Sequence, residues 1–206
     1  MDVNNYIKKI FHINNESEFN DYALKLFHYQ YKNNHIYNQY TTLVNYKIDT
    51  IKHYSQIPFL PIEFFRTKKV ISTKKTDQHI FLSSGTTSSL KSKHYITDLE
   101  IYKKFIRKSF ELFFGNPKEY VFLCLVPSFR KNQHSSLAFM CNELINLSNQ
   151  ANSGFYLNKT TKLVSVIQKC EKEGLKSSRR GLAFIGNLKK GHKLRSKDLT
   201  GLRPEK

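Results

Sequence analysis

The chain has 206 residues, and its 34 Lys and Arg against 16 Asp and Glu give a formal net charge of +18. That length suits one domain, or one domain with a tail, and 39% hydrophobic with 14% aromatic residues excludes disorder throughout. No apolar run approaches the ~20 residues of a membrane span, Met1-Asp2-Val3-Asn4-Asn5 has no signal-peptide character, and the widely spaced Cys124, Cys141 and Cys170 form no C-x-x-C pair, so a reducing, cytoplasmic location without disulfides is expected.

Residues 1–56 read as a helical N-terminal region. Ser17, followed by Glu18 and Asp21, suits a helix cap, and Phe19, Ala23, Leu24, Leu26 and Phe27 recur near helical spacing. Residues 35–46 form a second, aromatic-rich helix. In Ile57-Pro58-Phe59-Leu60-Pro61-Ile62 the prolines disfavour helix and sheet interior, which predicts an ordered apolar connection. Glu63-Phe64-Phe65 opens a short helical turn, and residues 69–72 and 79–82 each suit a short strand.

After a polar loop, Lys93-His94-Tyr95-Ile96 is extended again. Thr97-Asp98-Leu99-Glu100 has the capping-box pattern with Thr97 as N-cap, and Leu99, Tyr102, Ile106, Phe110 and Phe113 share one face of a helix that Gly115 stops. Residues 120–126 form a continuous apolar run before Pro127, as in a strand buried on both faces. Residues 135–147 make the next helix, with Leu137, Met140, Leu144 and Leu147 inward, and residues 161–173 make another, closed by Gly174. This alternation predicts an α/β fold with a mostly parallel sheet and flanking helices over 57–175. Cys124 and Cys141 fall where core thiols sit, whereas Cys170 is expected on a more exposed helix.

Beyond residue 176 the alternation calls for another apolar strand, but Ser177-Ser178-Arg179-Arg180-Gly181 and a weak Leu182-Ala183-Phe184-Ile185 follow. Residues 176–206 hold ten basic residues against two acidic ones. Two readings stand: a disordered basic tail, or a stretch translated after the native frame was lost. The charge also supports an alternative function, a nucleic-acid- or anionic-membrane-binding module working through Arg179, Arg180, Lys189, Lys190 and Lys193.

The segment that points to chemistry is Phe81-Leu82-Ser83-Ser84-Gly85-Thr86-Thr87-Ser88-Ser89-Leu90-Lys91, with six hydroxyls, one glycine and one lysine after a strand. Hydroxyls and loop amides donate to phosphate oxygens, at about 1.5–3 kcal/mol for each bond to a charged oxygen. Gly85 lets the backbone approach closely, successive amides make an anion nest, and Lys91 adds a mobile point charge. A Walker A loop does not fit. Leu90 stands at its second glycine, and residues 92–96 look extended where that motif opens a helix.

Residues 83–91 resemble the S-S-G-T-T-G-x-P-K signature of AMP-forming acyl-adenylating enzymes. The continuation Ser92-Lys93-His94-Tyr95, the earlier Ile57-Pro58-Phe59-Leu60-Pro61, and the later Leu125-Val126-Pro127-Ser128-Phe129 and Ser135-Ser136-Leu137 are similar to the acyl-protein synthetase (LuxE-type) branch. The likeness runs from about Ile57 to Glu173. Ser88 departs from the signature's glycine and Leu90 from its usual proline.

The resemblance implies a ligase that activates a fatty acid with ATP and Mg2+, forming an acyl-adenylate and passing the acyl group to a thiol. It implies ATP contacts from Ser83, Ser84, Gly85, Thr86, Thr87, Ser88 and Lys91, with Lys91 and Thr86 acting on the reaction itself by stabilising phosphate charge. It places His94, Phe129, Ser135 and Ser136 near the acyl substrate, and it implies a fatty acid and an acyl-reductase or acyl-acceptor protein as partners. For Ser135 a helix N-cap, and for His94 a structural place after a strand, are the competing roles. No Tyr-Gly-x-Thr-Glu-like segment and no Gly-Asp pair follows, so the expectation is an incomplete and inactive N-terminal portion of such an enzyme. A non-catalytic regulator that keeps the phosphate loop is a further alternative.

Overall fold

The computed structural model describes residues 2–84 and 91–173, together with the backbone of 176–178, 182–184 and 199–201. It divides into two units, Met1–Leu99 and Glu100–Lys206, a boundary that falls inside the 57–175 span.

In the first unit, α1 (Val3–Lys9) is capped by Asp2, whose carboxylate accepts from the amides of Asn4 and Asn5. Helix α2 (Glu16–Asn33) starts one residue before Ser17. Its cap is Asn15, whose side chain accepts from the Glu18 amide at 2.9 Å, while Glu18 reaches back to the Asn14 amide at 3.1 Å. Asn competes with Ser on equal terms for this position, and the reciprocal bond settles it. Asn34, 4% exposed, then caps α3 (His35–Leu43).

Phe27, Tyr37 and Ile51 form this unit's core, with Leu24, Tyr31, Tyr40, Ile48, Ile57 and Leu60 against it. The proline-bracketed connection is ordered as expected. The buried Tyr37 hydroxyl donates to the Pro58 carbonyl at 2.7 Å, and burial pushes its pKa up to about 12. After the short helix α4 (Phe64–Thr67), residues 69–72 do not form the predicted strand. Lys69 there is held by its side chain, with Nζ 2.6 Å from Asp77 and 5.1 Å from the centre of the Tyr95 ring. β1 (His79–Leu82) and β2 (Lys93–Ile96) pair antiparallel, from His79 opposite Ile96 to Leu82 opposite Lys93.

In the second unit, α5 (Leu99–Phe114) begins directly after Asp98 rather than Thr97. Phe110 is where its apolar stripe meets the sheet, with its ring 5.3 Å from Tyr120 and 5.2 Å from Phe122. Phe113, a turn further along, is 76% exposed rather than packed. Gly115 ends the helix at φ +85°, the left-handed conformation glycine adopts without a Cβ clash.

Strand β3 (Tyr120–Cys124) is buried along its centre as its apolar run requires. Val121 and Leu123 face Leu163, Val166, Ile167 and Cys170 of α7 (Thr160–Lys172). Phe122 meets Phe110, and α6 (Ser136–Ser148) also packs against β3. Parallel partners flank β3: β4 (Gly154–Phe155) on one edge and β5 (Lys176–Ser178) on the other. The mixed α/β class, with parallel strands between helices, therefore holds in this unit.

Three details depart from expectation. On α6 the inward residues are Ala138, Phe139, Leu144 and Ser148, and Leu137 is 48% exposed. A helix buries one face, and the aromatic Phe139, in contact with Tyr102 and Phe129, sets its rotation. Cys170 is 2% exposed because it closes the 163–166–167–170 stripe of α7. Regular structure also continues past residue 176, since Lys176-Ser177-Ser178 pairs with β3 despite having no apolar or β-branched residue. Backbone bonding to a buried neighbour outweighs propensity there. β6 (Leu182–Phe184) and β7 (Leu199–Gly201) pair antiparallel. Arg179, Arg180, Lys189, Lys190 and Lys193 lie outside the described residues.

Candidate functional site

The β1–β2 hairpin presents the phosphate-loop segment. Phe81, 3% exposed, and Ile96, 6% exposed, anchor its two strands, and Lys93 and His94 at the start of β2 are exposed. Below Leu82 the ladder continues at its far end, where the Gln78 amide donates to the Ile96 carbonyl at 2.8 Å. The Gln78 side chain accepts from the Leu99 amide at 2.7 Å. Helix α4 packs against β2.

Above Leu82 the chain crosses once more. The Ser83 amide donates to the Ser92 carbonyl at 3.0 Å, and the Ser92 amide donates to Ser83 Oγ at 2.9 Å. These two bonds close a neck from which the loop departs. Ser83 Oγ is thus engaged as a backbone acceptor, and its hydroxyl proton remains as donor capacity. Ser84 and Lys91, at the two feet of the loop, are exposed. Gly85, Thr86, Thr87 and Ser88 fall within 85–90, outside the described residues. The expected extension on the far side of the loop is present as β2, which sets it apart from a strand–loop–helix Walker arrangement.

His94 stands on β2 opposite Phe81. Its side chain reaches solvent, yet the chain around it strips enough hydration to hold the imidazole pKa below its ordinary value of 6.5. A ring of this kind is neutral at pH 7 and acts there by hydrogen bonding rather than as a cation.

In the second unit, Ser135 is the N-cap of α6, with its Oγ accepting from the Ala138 amide at 3.1 Å. Ser136 is the exposed first residue of that helix. Phe129 packs edge-on to Phe139 with ring centres 5.1 Å apart. A cap and an aromatic contact thus account for Ser135 and Phe129 in packing terms.

For a polyphosphate, the described feet of the loop fit. They offer an exposed ammonium and exposed hydroxyls, and residues 83, 84, 91 and 92 include no carboxylate to repel an anion. Among the described residues no group of three His, Cys, Asp or Glu could hold a metal ion. A cleft of about 350 Å³ near Lys9, His12, Glu18 and Asp21 mixes both charge signs and includes no hairpin residue.

Sequence reading missed one cluster. Cys124, at the end of β3, and Cys141, in the second turn of α6, influence each other's ionisation, and both are partly exposed. Interaction with Cys141, and then burial, push the Cys124 thiol up, and interaction with Cys124 holds Cys141 down. The missed signal is geometric, because a strand end and the helix that follows it meet across one crossover.

Three comparisons were made with known proteins. None gives a match. Neither a protein-family model, nor a characterised protein, nor a solved structure aligns with the chain.

Proposed function

We propose that the chain is the N-terminal portion of an AMP-forming acyl-activating ligase of the acyl-protein synthetase (LuxE-type) branch, with residues 83–91 gripping the polyphosphate of Mg-ATP. The observation that carries this reading is the setting of the loop. A hydroxyl-rich stretch ending in Lys91 is mounted on an antiparallel hairpin, and the Ser83–Ser92 bonds pin its neck. A neck closed in this way keeps the loop's two feet together, so donors on both sides converge on one anion without an ordering cost for the strands.

In this reading Ser84, Thr86, Thr87 and the loop amides donate to phosphate oxygens, and Lys91 neutralises their charge. Ser83 holds the neck and adds one hydroxyl proton. His94, neutral near pH 7, serves as a hydrogen-bonding neighbour. ATP supplies the electrophilic phosphorus that a fatty-acid carboxylate attacks. Residues 57–175 belong to a partial adenylate-forming domain, residues 1–56 to a helical layer ahead of it, and residues 176–206 to a basic extension. The activity proposed for residues 83–91 is polyphosphate binding.

Calorimetric titration of the 206-residue protein with Mg-ATP tests the reading. Lys91→Ala removes one charge-assisted bond, worth about 1.5–3 kcal/mol, and should weaken binding by about tenfold or more. Equal affinity of the variant and the parent would sink the phosphate grip. No acyl-hydroxamate should form from ATP, fatty acid and hydroxylamine; turnover that Lys91→Ala abolishes would overturn the inactive-fragment reading while keeping the family.

A further inference from the structure

Helix α5 carries more apolar surface than its own unit covers, and none of its residues is buried. Phe110 serves the inner side, with its ring 5.0 Å from Phe114, 5.3 Å from Tyr120 and 5.2 Å from Phe122. Leu112, two residues on, falls on the far side of the helix. It is 78% exposed, Phe113 is 76% exposed and Phe114 54%. Gly115 then turns the chain at φ +85°, and Pro117 is buried again. Three consecutive large apolar side chains therefore stand in solvent at the end of one helix. Patches of this kind mark contact sites.

The charges beside the patch are mainly positive. Residues 99–120 hold five Lys and Arg against three Glu, in a chain of net charge +18. Glu111, the acid next to Leu112, is already compensated, with Arg107 Nε at 2.7 Å and Lys108 Nζ at 2.9 Å from its two oxygens. Lys118 is exposed on the other side of Gly115.

We propose that the end of α5 is a membrane-docking tip, with Leu112, Phe113 and Phe114 entering the hydrocarbon edge of an anionic bilayer while Lys108 and Lys118 lie against its headgroups. This inference stands independently of the ligase reading.

The bilayer answers both parts of the surface. Taking an exposed Leu or Phe side chain out of water favours the bound state by roughly tenfold or more. Each Lys or Arg held near an anionic leaflet adds roughly fivefold. No described helix is long and apolar enough to cross a membrane, so the docking is peripheral. Other occupants match less of the patch. A nucleic-acid strand can stack on the phenyl rings but offers Leu112 no hydrocarbon. A second copy would bury the same side chains but set two strongly cationic surfaces against each other.

The test uses the whole chain. It contains no tryptophan, so Phe113→Trp places a single indole at the tip. Vesicles of equal parts phosphatidylcholine and phosphatidylglycerol should shift its emission to the blue, and brominated lipid in them should quench it. Neutral phosphatidylcholine vesicles should do so far less at the same salt concentration. Leu112→Ser combined with Phe113→Ser should weaken co-sedimentation with the anionic vesicles by about tenfold or more. Both positions are exposed, so the melting temperature of this double variant should match the parent's.

Vesicle binding with unchanged indole emission would place docking elsewhere on the basic surface and overturn the proposal. So would an emission shift caused by an oligonucleotide but not by vesicles, or one that follows protein concentration without lipid. Equal partition of parent and double variant would overturn it too, and an equal response to neutral vesicles would overturn the role of charge. Should Phe113→Trp fail to fold, Leu112→Trp repeats the measurement from the neighbouring position.

Discussion

The β1–β2 hairpin and the β3-centred sheet satisfy their backbones in opposite ways. The hairpin has two strands, and the feet of its polar loop are held by a local bracket of two hydrogen bonds between Ser83 and Ser92. Strand β3 is flanked by parallel neighbours and covered on both faces, by α7 on one and by α5 and α6 on the other. The second region derives its stability from apolar burial, and the first leaves Ser83, Ser84 and Lys91 exposed at its loop. Chemistry that needs exposed donors fits the hairpin.

This contrast can be broken experimentally. The largest effect is expected at Leu163, 1% exposed in the α7–β3 core. Leu163→Ala should cost about 2–5 kcal/mol, read as a lowered urea midpoint. A loss below that range would mean that β3 is not the stability centre of its unit.

Ser135→Ala removes the α6 cap and should cost about 1 kcal/mol. A stability loss without any change in fatty-acid binding assigns Ser135 to the helix, and the reverse pattern assigns it to substrate. Smaller still, Ser83→Ala deletes one exposed bracket bond and should cost about 1 kcal/mol or less by thermal melting. A loss comparable to that of Leu163→Ala would erase the distinction between the two regions.

His94 gives the smallest effect, and its sign follows from its pKa. Desolvation lowers the folded value beneath 6.5, so the unfolded chain takes up a proton first as the solution is acidified. Its contribution to stability is complete above pH 6.5 and is lost as pH falls through the lower, folded pKa. His94→Gln should therefore flatten the melting-temperature profile between pH 7 and 5, and an unchanged slope would remove His94 as a titrating contributor.

Much of the sheet region is written in its pattern. The run at residues 120–126 is apolar without interruption, so β3 was legible; α7 was legible as a helix, but not its buried face, since Cys170 closes that face at 2% exposure. The hairpin strands were equally plain, bounded by the polar loop between them. What escaped depended on neighbours distant in sequence. β5 is Lys-Ser-Ser, strand-like only because β3 lies beside it. Residues 69–72 have strand composition, but Lys69 is held by Asp77 and Tyr95 instead of a ladder. The rotation of α6 is set by a ring contact. Residues 83–91 were legible as a phosphate-binding composition, yet the role of Ser83 as a bracket needed the pairing register.

The Ser83–Ser92 bracket has one more consequence. Because strand register is locked beneath it, insertions or deletions in the stretch above need not propagate into β1 or β2, and doubling a loop's length costs only about 0.6 kcal/mol. The sequence above the bracket can therefore change in length while the scaffold of β1 and β2 is left untouched.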